Sequence, residues 1–293
     1  MRTVDRGPSF REGVVEMLIV GSRGMLGTDL MDAAGRDREC AGVDIEEVDI
    51  GDRDACVRLI REYSPSIVIN AAAYTNVDGC ETNREDAFRV NAEGVENLAI
   101  GCRETGALLV HVSTDYIFDG TKGTPYIEED DPNPRSVYGK SKLDGERRMQ
   151  RHLRHYLIIR TAWLYGRNGR NFIRTILDMA ESGKPLKVVD DQWGAPTYTV
   201  DLARAILALV DAGAGGVFHV SNTGFCNWWQ VAKRVVEIKG YGDVEVAPIT
   251  TAKLNRPAER PLYSVFNCER FSTTVGWEMR EWDEALEDYI GTL

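Results

Sequence analysis

The sequence is poor in the features that mark several protein classes. Its six cysteines, Cys40, Cys56, Cys80, Cys102, Cys226 and Cys268, form no C-x-x-C pair, and its four histidines have no metal-site spacing. The thiols read as isolated groups of a reducing compartment, not as a disulfide framework. No apolar run approaches the roughly 18 residues of a membrane span. The first sixteen residues, MRTVDRGPSFREGVVE, lack the apolar centre of a signal peptide and read as an extension before a folded body starting at Met17. Basic residues are outnumbered, 35 Lys+Arg to 46 Asp+Glu, for a net charge of −11. That balance excludes a generic nucleic-acid surface, because phosphate backbones demand a basic one. It leaves room for an anionic small molecule, which needs only a few local cations and N–H donors. A cytoplasmic protein with no membrane and no nucleic-acid partner is expected.

What is present is the pattern of an α/β fold. Over 293 residues, 43% of them hydrophobic, short Val/Ile/Leu runs alternate with segments of helical length, as in βαβ units around a parallel sheet. Strands are expected at 17–20, 40–44, 67–71, 107–113, 156–162 and 217–220, and helices near 25–35, 52–63, 84–104, 138–151, 171–183, 199–212 and 226–239. Continuous apolarity buries the strands on both faces, giving a Rossmann-like doubly wound parallel sheet. The texture changes after Gly166: DDQWGAPTYT (190–199) and TTAKLNRPAERPLYS (250–264) read as loops of a smaller covering lobe. The expected division is a dinucleotide-binding body over 17–165, with a returning strand near 217–220, and an interleaved substrate lobe mainly over 166–293.

Three motifs carry chemistry. Gly21-Ser-Arg-Gly24-Met25-Leu26-Gly27 follows a strand and opens a helix, the context in which glycines admit a pyrophosphate to a helix N-terminus. Asp44, ending the next strand, suits ribose hydroxyls and favours NAD, whereas Arg23 suits a 2′-phosphate and favours NADP. Tyr138-Gly-Lys-Ser-Lys142 places a phenol and an ammonium on one helical face. An ammonium there lowers a phenol pKa from about 10 toward a useful range, which makes Tyr138 a candidate general acid. His111-Val-Ser-Thr114-Asp-Tyr116 ends a strand where open sheets place ligands. His111 itself reads as a core residue, not a base.

Together with NAAAYTNVD (70–78), VNAEG (90–94), YGKSKLDGE (138–146), RTAWLYG (160–166), DDQWGAPT (190–197) and ERP (259–261), these motifs resemble the extended short-chain dehydrogenase/reductases, and within them the dTDP-4-dehydrorhamnose reductases. The resemblance spans nearly everything from Met17 onward. It implies reduction of carbon 4 of a dTDP-4-dehydro-6-deoxy-L-sugar by NADPH or NADH. Thr114, Tyr138 and Lys142 match the catalytic triad, and Lys142 also holds the nicotinamide ribose. Asn70, Ala71 and Ala72 match the stretch along the cofactor backbone, and Asp49-Ile50 the adenine side. Tyr116, Trp163, Asn171 and Arg260 match positions lining the nucleotide sugar, with Arg260 suited to its diphosphate. Some relatives bridge a dimer through magnesium held by glutamates. This chain has Asp29 and Thr199-Val200 at those places, so no metal is expected, and the chain is a monomer or homodimer.

Two other readings stay open. The Arg-containing glycine loop also resembles GDP-L-fucose synthases, although no counterpart of their Cys/His acid-base pair stands out. The fold also serves as a non-catalytic regulatory subunit of methionine adenosyltransferase, and fold alone does not decide function.

Overall fold

A computed structural model of the chain describes residues 15–35, 38–183 and 185–293. Six parallel strands form the central sheet: β1 (Met17–Val20), β2 (Cys40–Val43), β3 (Ile67–Asn70), β4 (Leu108–Thr114), β5 (Tyr156–Thr161) and β6 (Gly216–His219), in the order β6-β5-β4-β3-β1-β2. The expected strands coincide with these to within a residue or two, and the returning strand pairs with β5 as Gly216 to Leu157 through His219 to Arg160. The extension expected over 1–16 lies outside the described residues except for its last two. Those are tied down, Val15 N–H donating to Tyr63 O and Glu16 N–H to Glu39 O.

The sheet is covered on both faces, as its apolar strands require. On one side α1 (Met25–Ala34) and α6 (Thr199–Asp211) bury Leu26, Leu30, Leu202 and Ile206 against Met17, Ile19 and Ile159. On the other side α2 (Arg53–Tyr63), α3 (Gly94–Thr105) and α4 (Val137–His152) bury Ile60, Leu98 and Met149 against Leu18, Val68 and Ile158. Both α6 and β6 lie beyond residue 166, so the C-terminal part of the chain supplies half of one face and an edge strand of the first core. A separate apolar cluster joins α5 (Phe172–Glu181), α7 (Trp228–Ile238) and α8 (Trp282–Gly291) around Tyr165, Tyr198 and Tyr289.

Two local features depart from the expected pattern. The helix expected over 84–104 is α-helical at Arg84–Phe88, widens to a π turn at Arg89–Glu93, and resumes as α3. Asn91 sits in the widened turn; its side chain accepts from Tyr74 N–H (2.8 Å) and donates to Ser141 Oγ (3.1 Å), stapling this helix to α4 and to the loop after β3. The loop 190–199 contains two-residue strands: Trp193–Gly194 pairs with Cys226–Asn227, and Thr197–Tyr198 with Leu164–Tyr165.

Candidate active site

The strand order reverses between β1 and β3, β2 lying to one side of β1 and β3 to β6 to the other, and at such a switch point the carboxyl ends of parallel strands leave a crevice. Gly21 follows β1 with φ +81°, and a Cβ there would meet Ala72 N at 2.6 Å. Gly27, on the first turns of α1, faces back onto that bend: a Cβ would lie 1.9 Å from Gly21 O. Only glycine permits this approach, so the bend and helix form one unit. Gly24 caps α1 with no side-chain hydrogen bond, leaving first-turn N–H groups for an anion. Replacing Gly27 by Ala is expected to cost about 1–3 kcal/mol of stability through overpacking. It should also weaken NADPH binding more than tenfold, read by quenching of tryptophan fluorescence.

From this bend a cleft of about 960 Å³ runs along the strand ends. It is at the top of the usual range for small-molecule sites, about 300–1,000 Å³. Gly21, Arg23, Gly24, Met25, Leu26, Asp44, Asp49, Ile50, Ala71 and Ala72 line one end; Thr114, Tyr116, Tyr138, Lys142 and Trp163 line the other. Asp44 accepts from the Arg23 (2.8 Å) and Ile45 (2.9 Å) N–H groups. The Arg23 guanidinium is held by Glu46 and by Glu47, the latter at 2.7 Å.

At the other end, Ser136 caps α4 through Gly139 N–H (3.1 Å), and the missing Cβ of Gly139 lets the helix approach Tyr116 O, 2.1 Å from where a Cβ would stand. That approach brings Tyr138 edge-on to Tyr116, ring centroids 5.4 Å apart. Lys142, one turn on, donates to Val112 O at 2.7 Å. The expectation that Lys142 lowers the Tyr138 pKa is corrected. Burial pushes the phenol above its ordinary value, partly offset by the Thr114 hydroxyl. Lys142 Nζ stands 3.3 Å from His111 Nε2 besides donating to Val112 O, and its buried position pushes Lys142 down to about 8. Asp115, between Thr114 and Tyr116, is pushed up to about 6 by burial, against hydrogen bonds from Ser264 and Thr114. Trp163 adopts φ +51°, an uncommon conformation for a bulky residue, and its ring stacks on Trp228 at 3.7 Å.

Four expected site residues stand outside the cleft lining. Gly27 acts behind the bend, as described. Asn70 is fully buried beneath it, its side chain on His111 and Ala72. Asn171 is consumed as the cap of α5: it accepts from Arg174 N–H and donates to Gly166 O and Tyr289 Oη. Arg260 is clamped in a fork on Asp78, at 3.0 and 2.9 Å, which ties the 250–264 segment to the first turn of the short helix Val77–Thr82. Sequence reasoning overlooked Arg170 and Trp228, which do line the cleft. The Trp228-Trp229 pair at a helix start was a visible signal, but which indole faces inward is settled by its stack on Trp163. Asp29 and Thr199, the positions considered above for a bridging metal, are hydrogen-bonded to each other, Thr199 Oγ1 donating at 2.5 Å. Among the described residues no group of three or more His, Cys, Asp or Glu is placed to hold a metal ion, and no helix is long and apolar enough to cross a membrane.

Known proteins share this architecture. A dTDP-4-dehydrorhamnose reductase of Mycobacterium tuberculosis is 40% identical over 277 residues, covering 92% of this chain and 90% of its own. A probable dTDP-4,6-dihydroxy-2-methyloxan-3-one 4-ketoreductase of Streptomyces antibioticus is 40% identical over 274 residues, 92% of this chain and 93% of its own. The crystal structure of the Bacillus anthracis dTDP-4-dehydrorhamnose reductase with NADP superposes with a TM-score of 0.92 at 35% identity, over 96% of this chain and all of that one. The protein-family model of the RmlD substrate-binding domain matches residues 15–293. With a glycine bend, a Tyr/Lys helix and a shared cleft under that match, the chain belongs to the RmlD substrate-binding-domain family, together with dTDP-4-dehydrorhamnose reductases.

Proposed function

We propose that the chain reduces the 4-keto group of dTDP-4-dehydro-β-L-rhamnose to give dTDP-L-rhamnose, a step in polysaccharide biosynthesis. The observation that carries this reading is the convergence of Thr114, Tyr138 and Lys142 on the cleft that starts at the glycine bend. The bend, the uncapped N-terminus of α1 and Asp44 fit a nicotinamide dinucleotide, which supplies the hydride when bound. Tyr138 gives its phenolic proton to the sugar O4 as the carbonyl becomes an alcohol. Burial keeps that phenol protonated through the neutral range, the form a general acid needs. In this reading Thr114 turns its hydroxyl from Asp115 Oδ1, to which it donates at 3.0 Å, toward the same oxygen, and the Lys142 ammonium steadies the phenolate left behind. Tyr116 and the Trp163/Trp228 stack offer the sugar apolar faces.

Offering dTDP-4-dehydro-β-L-rhamnose and the GDP-linked 4-keto sugar in parallel, each with NADH and NADPH, tests the reading. Turnover of the dTDP sugar alone supports it. Turnover of only the GDP sugar would place the chain with fucose synthases, and none at all with regulatory subunits. The fucose-synthase reading is disfavoured by the cleft itself, whose lining holds no Cys and no His for an epimerising acid-base pair.

Coenzyme choice turns on Arg23. Glu46 and Glu47 hold its guanidinium, so a 2′-phosphate must compete with two carboxylates for it. The double variant Glu46→Gln, Glu47→Gln is expected to raise the NADPH-to-NADH ratio of kcat/KM several-fold. An unchanged ratio would separate Arg23 from the adenosine end.

A further inference from the structure

Beneath the cleft, three buried side chains stand in a row: Asn70 at the end of β3, His111 on β4 and Lys142 on α4, exposed by 0%, 0% and 2%. Strand register sets Asn70 opposite His111. The Asn70 amide has one orientation available, because its Oδ1 accepts from Ala72 N–H at 3.1 Å. Its Nδ2 therefore faces His111 Nδ1, at 3.2 Å, as a donor. A neutral imidazole carries one N–H, so accepting at Nδ1 puts the proton on Nε2. Burial and the nearby Lys142 keep the ring neutral. Nε2 lies 3.3 Å from Lys142 Nζ. An N–H directed at an ammonium sets donor against donor, whereas directed at an amine it meets a lone pair.

We propose that Asn70 and His111 are positioning residues for Lys142: Asn70 fixes the imidazole tautomer, and the Nε2–H of His111 sets where the amine sits and how readily it takes its proton. Burial pushes Lys142 down to about 8, with Glu146 opposing the shift. Tyr138, one turn earlier on the same helix, shares the cleft lining with it, and Glu146 is itself ion-paired to Arg160 of β5. Above that range the ammonium that steadies the Tyr138 phenolate is lost, so turnover falls with an alkaline limb that the Asn70–His111 pair controls.

Imidazole ¹⁵N NMR of the ligand-free protein, which has four histidines, reads the tautomer directly, with His111 assigned by its loss in His111→Phe. The wild-type ring is expected as Nε2–H. In Asn70→Asp the carboxylate accepts from the ring, so the Nδ1–H form is expected, with Nε2 turned into an acceptor for the ammonium. The alkaline limb of kcat should then rise by about one pH unit, a tenfold gain in proton affinity, with KM for the nucleotide sugar unchanged. Asn70→Leu, of similar size and without charge, should move the limb the same way by less, a shift that charge attraction cannot supply. It also decides the matter if Asn70→Asp fails to fold. An Nδ1–H ring in the wild type, or a limb unmoved in folded Asn70→Leu, would overturn the proposal. The kinetic arm rests on the reductase reading and the NMR arm does not, so absent turnover beside an Nε2–H ring would count against that reading alone.

Discussion

Tyr138→Phe is expected to lower kcat by about 10²- to 10⁴-fold, the usual contribution of a positioned general acid. KM for the nucleotide sugar should change little. The variant keeps the ring that packs edge-on against Tyr116 and removes only the proton donor, so its thermal unfolding should match the wild type. Because burial holds the phenol protonated, the wild-type pH profile below 8 should be free of a Tyr138 limb. Turnover within a few-fold of wild type, followed as NADPH oxidation with the 4-keto sugar, would remove Tyr138 from the reaction.

The largest expected effect on stability is at Glu146, which the motif YGKSKLDGE carries without revealing its use. The carboxylate is 1% exposed and accepts from Arg160 Nη2 (2.8 Å), Arg160 Nε (3.2 Å) and Ser113 Oγ (2.5 Å). Arg160 also lies over the Phe118 ring, 5.6 Å from its centroid. Glu146→Gln leaves a buried guanidinium without a counter-charge, and the expected loss is about 3–5 kcal/mol in urea unfolding. Replacing the pair by Glu146→Met and Arg160→Met should recover most of that loss, because two apolar side chains strand no charge. A loss under about 1 kcal/mol for Glu146→Gln would show that the pair is not holding α4 to β4 and β5. Since α4 carries Tyr138 and Lys142, the same variant should also lower kcat.

The strands and helices of the first core were readable because their signal is local. MLIV, buried on both faces, cannot be a surface strand, and Gly27 after Gly21 has a meaning in sequence because both stand on one bend. In the C-terminal half the helices near 171–183, 199–212 and 226–239 and the strand near 217–220 were equally legible, but the small strands were not. Leu186–Val189 is a strand only through its parallel pairing with Val246–Ile249, some 60 residues away, and Trp193–Gly194 only through Cys226–Asn227. Outside a regular alternation of strands and helices, pieces this short carry no sign of which distant segment they pair with.

Residue types and spacing by themselves determined that this chain builds a doubly wound sheet with a dinucleotide bend, and that a phenol and an amine share a helical face beside it. Those facts follow from glycine sterics and helical periodicity, which act within a few residues. Only the tertiary structure decided the charge and hydrogen-bond state of each group, because these depend on burial and on partners remote in sequence. Packing raised the Tyr138 pKa where the Tyr/Lys spacing alone implied lowering. It bound Arg260 to Asp78, spent Asn171 on capping α5, and set Asn70 and His111 against Lys142.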